Sequence, residues 1–153
     1  MRYQHTQTSH LAVFVLIGFV ILFGFGLVLA DEEEPASLAV LGASFLVIGA
    51  VVLWFNWLTV VIDAGRVTVS SGRGWPRRII EVRDITAFRP VRNKWWYGTG
   101  VRKIPGGWMY NAWGLDAVEI EQNNGDKFRI GTDQPGDLVA ALAASTSLLP
   151  SAD

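Results

Sequence analysis

Few residues in this chain carry side chains suited to chemistry, and their placing narrows the options. The only histidines, His5 and His10, stand in the N-terminal tail, which leaves the rest of the chain without an imidazole for a triad or a zinc site. There is no cysteine, so disulfides, thiolate metal sites and cysteine nucleophiles are excluded. No GxSxG, Walker-type or dinucleotide glycine motif occurs. Gly98-Thr99-Gly100 has no helix start behind it and reads as an ordinary turn rather than a phosphate loop. An acid or base role for Asp116 or Glu119 is the weakest functional reading. Glu119 and Glu121 are expected to face cations across a hairpin. The expectation is a non-enzyme with no cofactor and no metal.

The segment Val91–Trp113 is the most unusual part of the chain. It holds Trp95, Trp96, Tyr97, Trp108, Tyr110 and Trp113 among Arg92, Lys94, Arg102 and Lys103. Some of these aromatics are expected to fill a core. The functional reading makes Arg92, Lys94, Trp95, Trp96, Tyr97, Arg102 and Lys103 an interaction surface. Near anionic headgroups each cation is worth about 1 kcal/mol. On a protein surface Trp, Tyr and Arg are the residues that dominate binding energy. Single-stranded nucleic acid, the other ligand of basic aromatic stretches, is not expected. The acidic run Asp31-Glu32-Glu33-Glu34 offers oxygen ligands to Ca²⁺ or Mg²⁺ but lacks the spacing and turn glycine of a dedicated loop. It reads as a solvated connector that Pro35 helps to end.

The elements that must position these residues divide by charge and hydropathy. From Arg73 to Lys103 nine cations face two anions, whereas from Ile104 onward two cations face seven anions. A polarised domain is implied. Before it come two apolar runs, Leu11–Ala30 and Ala36–Phe55, separated by the acidic loop. Each is 20 residues long, enough for the roughly 20 apolar residues that a bilayer core asks of a helix. The expectation is therefore a two-helix transmembrane hairpin with spans about 11–30 and 36–57 and the loop at 31–35. The first run is longer than the 7–15 apolar residues of a cleaved signal core, so it is read as retained. The lysines and arginines that follow the second run place both termini in the cytoplasm of a multi-pass inner-membrane protein. Trp54 and Trp57 would be its membrane-interface anchors. Gly18, Gly24, Gly42 and Gly49 would let the helices approach closely.

Beyond the hairpin the pattern is β-rich. Leu58–Ile62 and Arg66–Val69 read as a hairpin around Asp63-Ala64-Gly65. Further strands are expected at Arg78–Val82, Ile85–Val91, Thr99–Ile104, Trp108–Ala112, Leu115–Glu121 and Lys127–Ile130. The firmest register lies around Asn123-Asn124-Gly125, with glycine in the left-handed position of a three-residue loop. It sets Glu121 opposite Lys127 and Glu119 opposite Arg129, and Ile120 opposite Phe128 and Val118 opposite Ile130. A slip of one residue would bury charge. Thr132 or Asp133 is expected to cap a helix from Pro135 to about Ser145, with Leu138, Ala141 and Leu142 as its apolar stripe.

Arg77-Arg78-Ile79-Ile80, Ile80-Glu81-Val82-Arg83-Asp84-Ile85, Trp95-Trp96-Tyr97-Gly98, Gly114–Ile120 and Phe128–Asp133, in this order after a hairpin and before a terminal helix, resemble the bacterial pleckstrin-homology-like membrane proteins. Glu81 stands where that family often has proline. The resemblance covers about Leu58 to Ala144. It implies an α+β pleckstrin-homology-like domain, a bent seven-stranded antiparallel barrel capped by a C-terminal helix, and no shared enzymatic chemistry. The expected division is a cytoplasmic tail at 1–10, the hairpin at 11–57, the domain at 58–147 and a tail at 148–153. The expected function is a membrane-anchored interaction or scaffold module. Its partners would be the lipid bilayer, anionic headgroups or another membrane protein. The alternative is a structural subunit of a homo- or hetero-oligomeric membrane assembly.

Overall fold

Leu58, Val60 and Ile62 alternate with Thr59, Val61 and Asp63, so one face of that strand is apolar and becomes fully buried. The computed structural model describes residues 3–29, 35–54 and 56–151. In chain order it forms β1 (Tyr3–Thr8), α1 (Leu11–Leu29), α2 (Pro35–Trp54), β2 (Trp57–Asp63), β3 (Arg66–Ser71) and β4 (Arg77–Glu81). Then follow β5 (Ile85–Arg92), β6 (Gly100–Ile104), β7 (Gly107–Asn111), β8 (Asp116–Gln122), β9 (Lys127–Gly131) and α3 (Pro135–Thr146). The strands make two sheets, ordered β1-β2-β3-β4 and β5-β8-β9-β7-β6.

The apolar faces of both sheets close on one core. Val60, Ile62, Val67, Val69 and Ile80 come from the first sheet, and Phe88, Val118, Ile120, Phe128 and Ile130 from the second. Each such side chain contributes roughly 1.5–3 kcal/mol when fully buried. Helix α3 adds Leu138 and Leu142, both completely buried, against β5 and β8. Its start differs from the expected cap. Gln134 occupies the cap position, and Thr132 Oγ1 accepts the Gln134 N–H at 3.1 Å. Asp133 instead reaches His5 Nε2 at 2.6 Å, tying the N-terminal strand to this helix start.

Three features correct the expected seven-stranded antiparallel barrel. Nine strands are present among the described residues, in two sheets. The N-terminal residues Tyr3–Thr8 form an edge strand, in register with β2 from Tyr3 opposite Ile62 to Thr8 opposite Trp57. That run, Tyr-Gln-His-Thr-Gln-Thr, has no apolar alternation to mark it as a strand. Finally, β7 joins β9 in parallel, so the second sheet is mixed.

The membrane expectation is corrected as well. Among the described residues no helix is long and apolar enough to cross a membrane. The transmembrane hairpin, the multi-pass inner-membrane placement and the cytoplasmic orientation are overturned on that ground, and the acidic loop 31–34 lies outside the described residues. The two helices pack antiparallel on each other, with Gly42 beside the Phe23 ring and Gly49 beside Leu16. Gly18 and Gly24 have open space instead of a neighbouring helix. Phe14, Val20, Ile21, Phe25, Leu46 and Val47 are exposed.

Trp54 ends α2 and Trp57 begins the first strand after it. Trp54 Nε1 donates to the Trp75 carbonyl at 3.3 Å. Trp57 opens β2, and its carbonyl accepts the Gly72 N–H at 2.8 Å.

Candidate functional site

The loop between β5 and β6 carries the exposed aromatics, and buried polar side chains hold it in place. The Asn93 N–H donates to the Leu115 carbonyl at 2.6 Å. A single 3₁₀ turn, Trp95–Tyr97, then closes through Tyr97 N–H to Lys94 O at 2.9 Å. Gly98 follows at φ 62°, a conformation that costs glycine little. Asn111, buried in β7, donates from Nδ2 to the carbonyls of both Gly98 and Gly114 at 3.0 Å. One amide thus clamps two loops, and flipping it would set its oxygen against two carbonyls. On the other side Arg102 Nε donates to the Thr99 carbonyl at 3.0 Å.

This scaffold turns the indoles outward. Trp95 is 76% exposed and Trp96 is 57% exposed. The two rings meet edge to face at 5.8 Å, and the Lys94 ammonium lies 5.1 Å from the Trp96 ring centre. Beside them a mainly apolar cleft of about 310 Å³ is lined by Trp95, Gly98, Thr99, Trp113, Gly114 and Leu115. Its far wall is fixed from β1, where Gln7 Nε2 donates to the Trp113 carbonyl at 2.8 Å. His10 also meets the Trp113 ring edge-on at 6.5 Å.

Beneath the loop lies a charge cluster on the outer face of the second sheet. Glu119 is 1% exposed and accepts from Arg129 Nε at 2.6 Å and Arg89 Nη2 at 2.9 Å. Lys127 stands 3.7 Å from Glu119 and 2.8 Å from Glu121. The expected hairpin register is the observed one, with Glu119 opposite Arg129 and Glu121 opposite Lys127. Burial alone would raise the Glu119 carboxyl. The hydrogen bonds from Arg129 and Arg89 and the charges of Arg129 and Lys127 outweigh it and hold the group below its usual range. Lys127 is raised by its hydrogen bond to Glu121 and by the charges of Glu119 and Glu121. Arg129 also bonds Asn93 Oδ1 at 3.3 Å and lies 5.9 Å from the Tyr97 ring centre. The cluster is thereby coupled to the aromatic loop. With three cations around it, Glu119 is held ionised as a structural counter-ion, a poor proton donor near neutral pH.

The structure brings together Lys94, Trp95, Trp96, Tyr97 and Arg102 but separates Lys103 from them. Arg102 pairs with Met109 and Lys103 with Trp108, and strand alternation sends these pairs to opposite faces. Lys103 lines a different cleft with Arg78 and Trp108. Arg92, at the end of β5, pairs with Asp116 and by alternation points away from the face of Arg89. Asn93, Asn111 and Arg89 were not legible as positioning residues. Asparagine is depleted in strands, so Asn111 within the apolar run Trp108–Ala112 was the one available hint. Among the described residues no group of histidine, aspartate or glutamate could hold a metal. Comparison with known proteins adds no relative, since no family model matches the chain and no curated protein matches it.

Proposed function

We propose that this chain is a non-enzymatic interaction module that docks on anionic lipid headgroups through the Trp95–Trp96 ledge, with Lys94 and Arg102 supplying charge. The observation that carries the reading is the ledge itself. Two adjacent indoles face solvent on a loop that Asn93, Asn111 and Arg129 pin down, although the same rings buried would each contribute to a core. Indole rings favour the headgroup region, where an apolar body and a polar N–H are both accommodated.

The test is co-sedimentation of the full chain with phosphatidylglycerol vesicles and with neutral phosphatidylcholine vesicles. The difference between the two isolates the charge term from apolar adsorption. Replacing Lys94 and Arg102 together by Gln should remove most of that difference, and raised salt should do the same. Trp95→Ala with Trp96→Ala should weaken binding to both vesicles. If neither variant changes binding, the lipid reading fails and a protein partner takes its place.

A second reading, assembly with further copies, is favoured by a separate observation. Helices α1 and α2 are apolar on every side and expose Phe14, Ile21, Phe25 and Leu46. A helix apolar all round is normally covered on all sides, and among the described residues each of these two helices is covered by the other on one side. A defined oligomer by light scattering in mild detergent supports assembly, and a monomer excludes it.

A further inference from the structure

The two sheets are not closed alike at their two ends. Helix α3 fills the gap beside β5 and β8. Beside β6 and β7, at the opposite edge of the second sheet, no helix covers the gap among the described residues, and a cleft of about 480 Å³ opens there. Arg78 enters from β4, on the same side of its strand as the buried Ile80. Lys103 and Trp108 enter from β6 and β7 on the core side, next to Phe128 of β9. The floor is apolar, because Phe128 is buried there and packs on Tyr110 at 5.2 Å between ring centres. Burial raises the Tyr110 phenol, and the charge of Arg78 partly counters that.

The charges in this cleft are unbalanced. Arg78, Lys103 and Lys127 line it together with one carboxylate, Asp126. Lys127 is already paired with Glu121. Among the described residues neither Arg78 nor Lys103 has a carboxylate partner within ion-pair distance. Asp126 is engaged with Asn124, its Oδ2 accepting from Asn124 Nδ2 at 2.9 Å. Two cations without partners, converging from separate sheets, suit a dianion. Arginine offers the planar fork that phosphate oxygens accept in pairs, and lysine adds a point charge. Trp108, 48% exposed at the mouth, presents a flat apolar surface beside them. The volume is that of a small-molecule site.

We propose that the cleft between β4 and the β6–β7 hairpin binds a phosphomonoester whose other end is a flat ring, its phosphate held by Arg78 and Lys103 and its ring lying on Trp108. This site is separate from the Trp95–Trp96 ledge and does not depend on the lipid reading.

Calorimetric titration of the full chain tests it, with adenosine monophosphate as the probe, inorganic phosphate as the anion alone and adenosine as the ring alone. The nucleotide should bind more tightly than phosphate, and adenosine should bind least. Arg78→Gln with Lys103→Gln should weaken nucleotide binding at least about tenfold, each lost charge-assisted bond being worth about one decade. Both side chains are exposed, so thermal unfolding should stay within a few degrees of the parent. Trp108→Leu should weaken the nucleotide while leaving inorganic phosphate unchanged. Phosphatidic acid vesicles, which present a phosphomonoester without a ring, should displace the nucleotide no better than inorganic phosphate does, and displacement at a lower phosphate concentration overturns the ring part of the proposal. Absence of nucleotide and phosphate binding at millimolar concentration overturns the proposal. So does binding that the double variant leaves unchanged.

Discussion

Glu119 Oε2 accepts a 2.6 Å hydrogen bond from Arg129 Nε across the β8–β9 pair, and the same Arg129 reaches Asn93 at the root of the aromatic loop. This relationship links the best-packed hairpin of the domain to the segment that displays Trp95 and Trp96. Removing the carboxylate leaves Arg89, Arg129 and Lys127 facing one another without their shared anion. Glu119→Ala should cost roughly 2–3 kcal/mol, towards the low side for a broken buried pair because Arg89 and Lys127 still reach water. Urea unfolding with an unchanged slope checks it. A loss under about 0.5 kcal/mol, the level of ordinary surface changes, would mean the cluster is not structural.

The same carboxylate sets an acid limit. Its folded pKa lies below the usual 4.5, so its stabilising contribution is present in full well above that value. The contribution should fade as pH falls from about 4.5 through the lower folded value. Glu119→Gln should therefore flatten the acid limb of a stability–pH curve and leave the slope above pH 6 unchanged. Lys127 has the opposite sign. Its raised pKa gives a contribution present below 10.5 and lost as pH rises through the folded value.

Asn111 is predicted to order the loop without touching its exposed face. Asn111→Leu keeps the branched side-chain skeleton, with bulkier methyls for the amide, but leaves the carbonyls of Gly98 and Gly114 without their donor, at a cost of roughly 1–3 kcal/mol. Amide exchange should accelerate at Tyr97 and Gly98 more than in β8 or β9. Equal acceleration everywhere would show a global effect and remove the clamp from the account.

Gly107 is required by the parallel approach of β7 to β9. A methyl group there would overlap the Lys127 carbonyl oxygen, a backbone atom that cannot step aside. Gly107→Ala should destabilise by at least about 2 kcal/mol through strain of the overpacking kind. Gly136→Ala, in α3 with open space around it, should be near neutral and serves as the control.

Local signals placed most of the strands from Leu58 onward within a residue or two, because alternation and turn glycines are properties of neighbouring residues. The β2–β3 hairpin shows the limit of that precision. Asp63-Ala64-Gly65 was read as its loop, yet Asp63 pairs with Arg66 and only Ala64 and Gly65 turn, both at positive φ. The β8–β9 register was legible for a stronger reason, since a slip of one residue would carry charge into the core and the loop glycine fixes the turn. Strand β1 was not legible, because a polar edge strand gains its pairing from β2 and carries no period of its own.

What this sequence determined unaided is therefore the set of segments and the sign of each face. The alternation of Val118 to Ile130, the uncharged runs of α1 and α2, and the missing cysteines and domain histidines all follow from residue types alone. Tertiary structure decided which faces meet. It split Arg102 from Lys103, gave Arg78 to the same cleft as Lys103 from 25 residues away in sequence, and set Asn111 under two loops at once. Contacts between distant segments depend on how the sheets stack and which strands become neighbours. That is fixed by the packing of the whole core, for which no local pattern in the chain can stand.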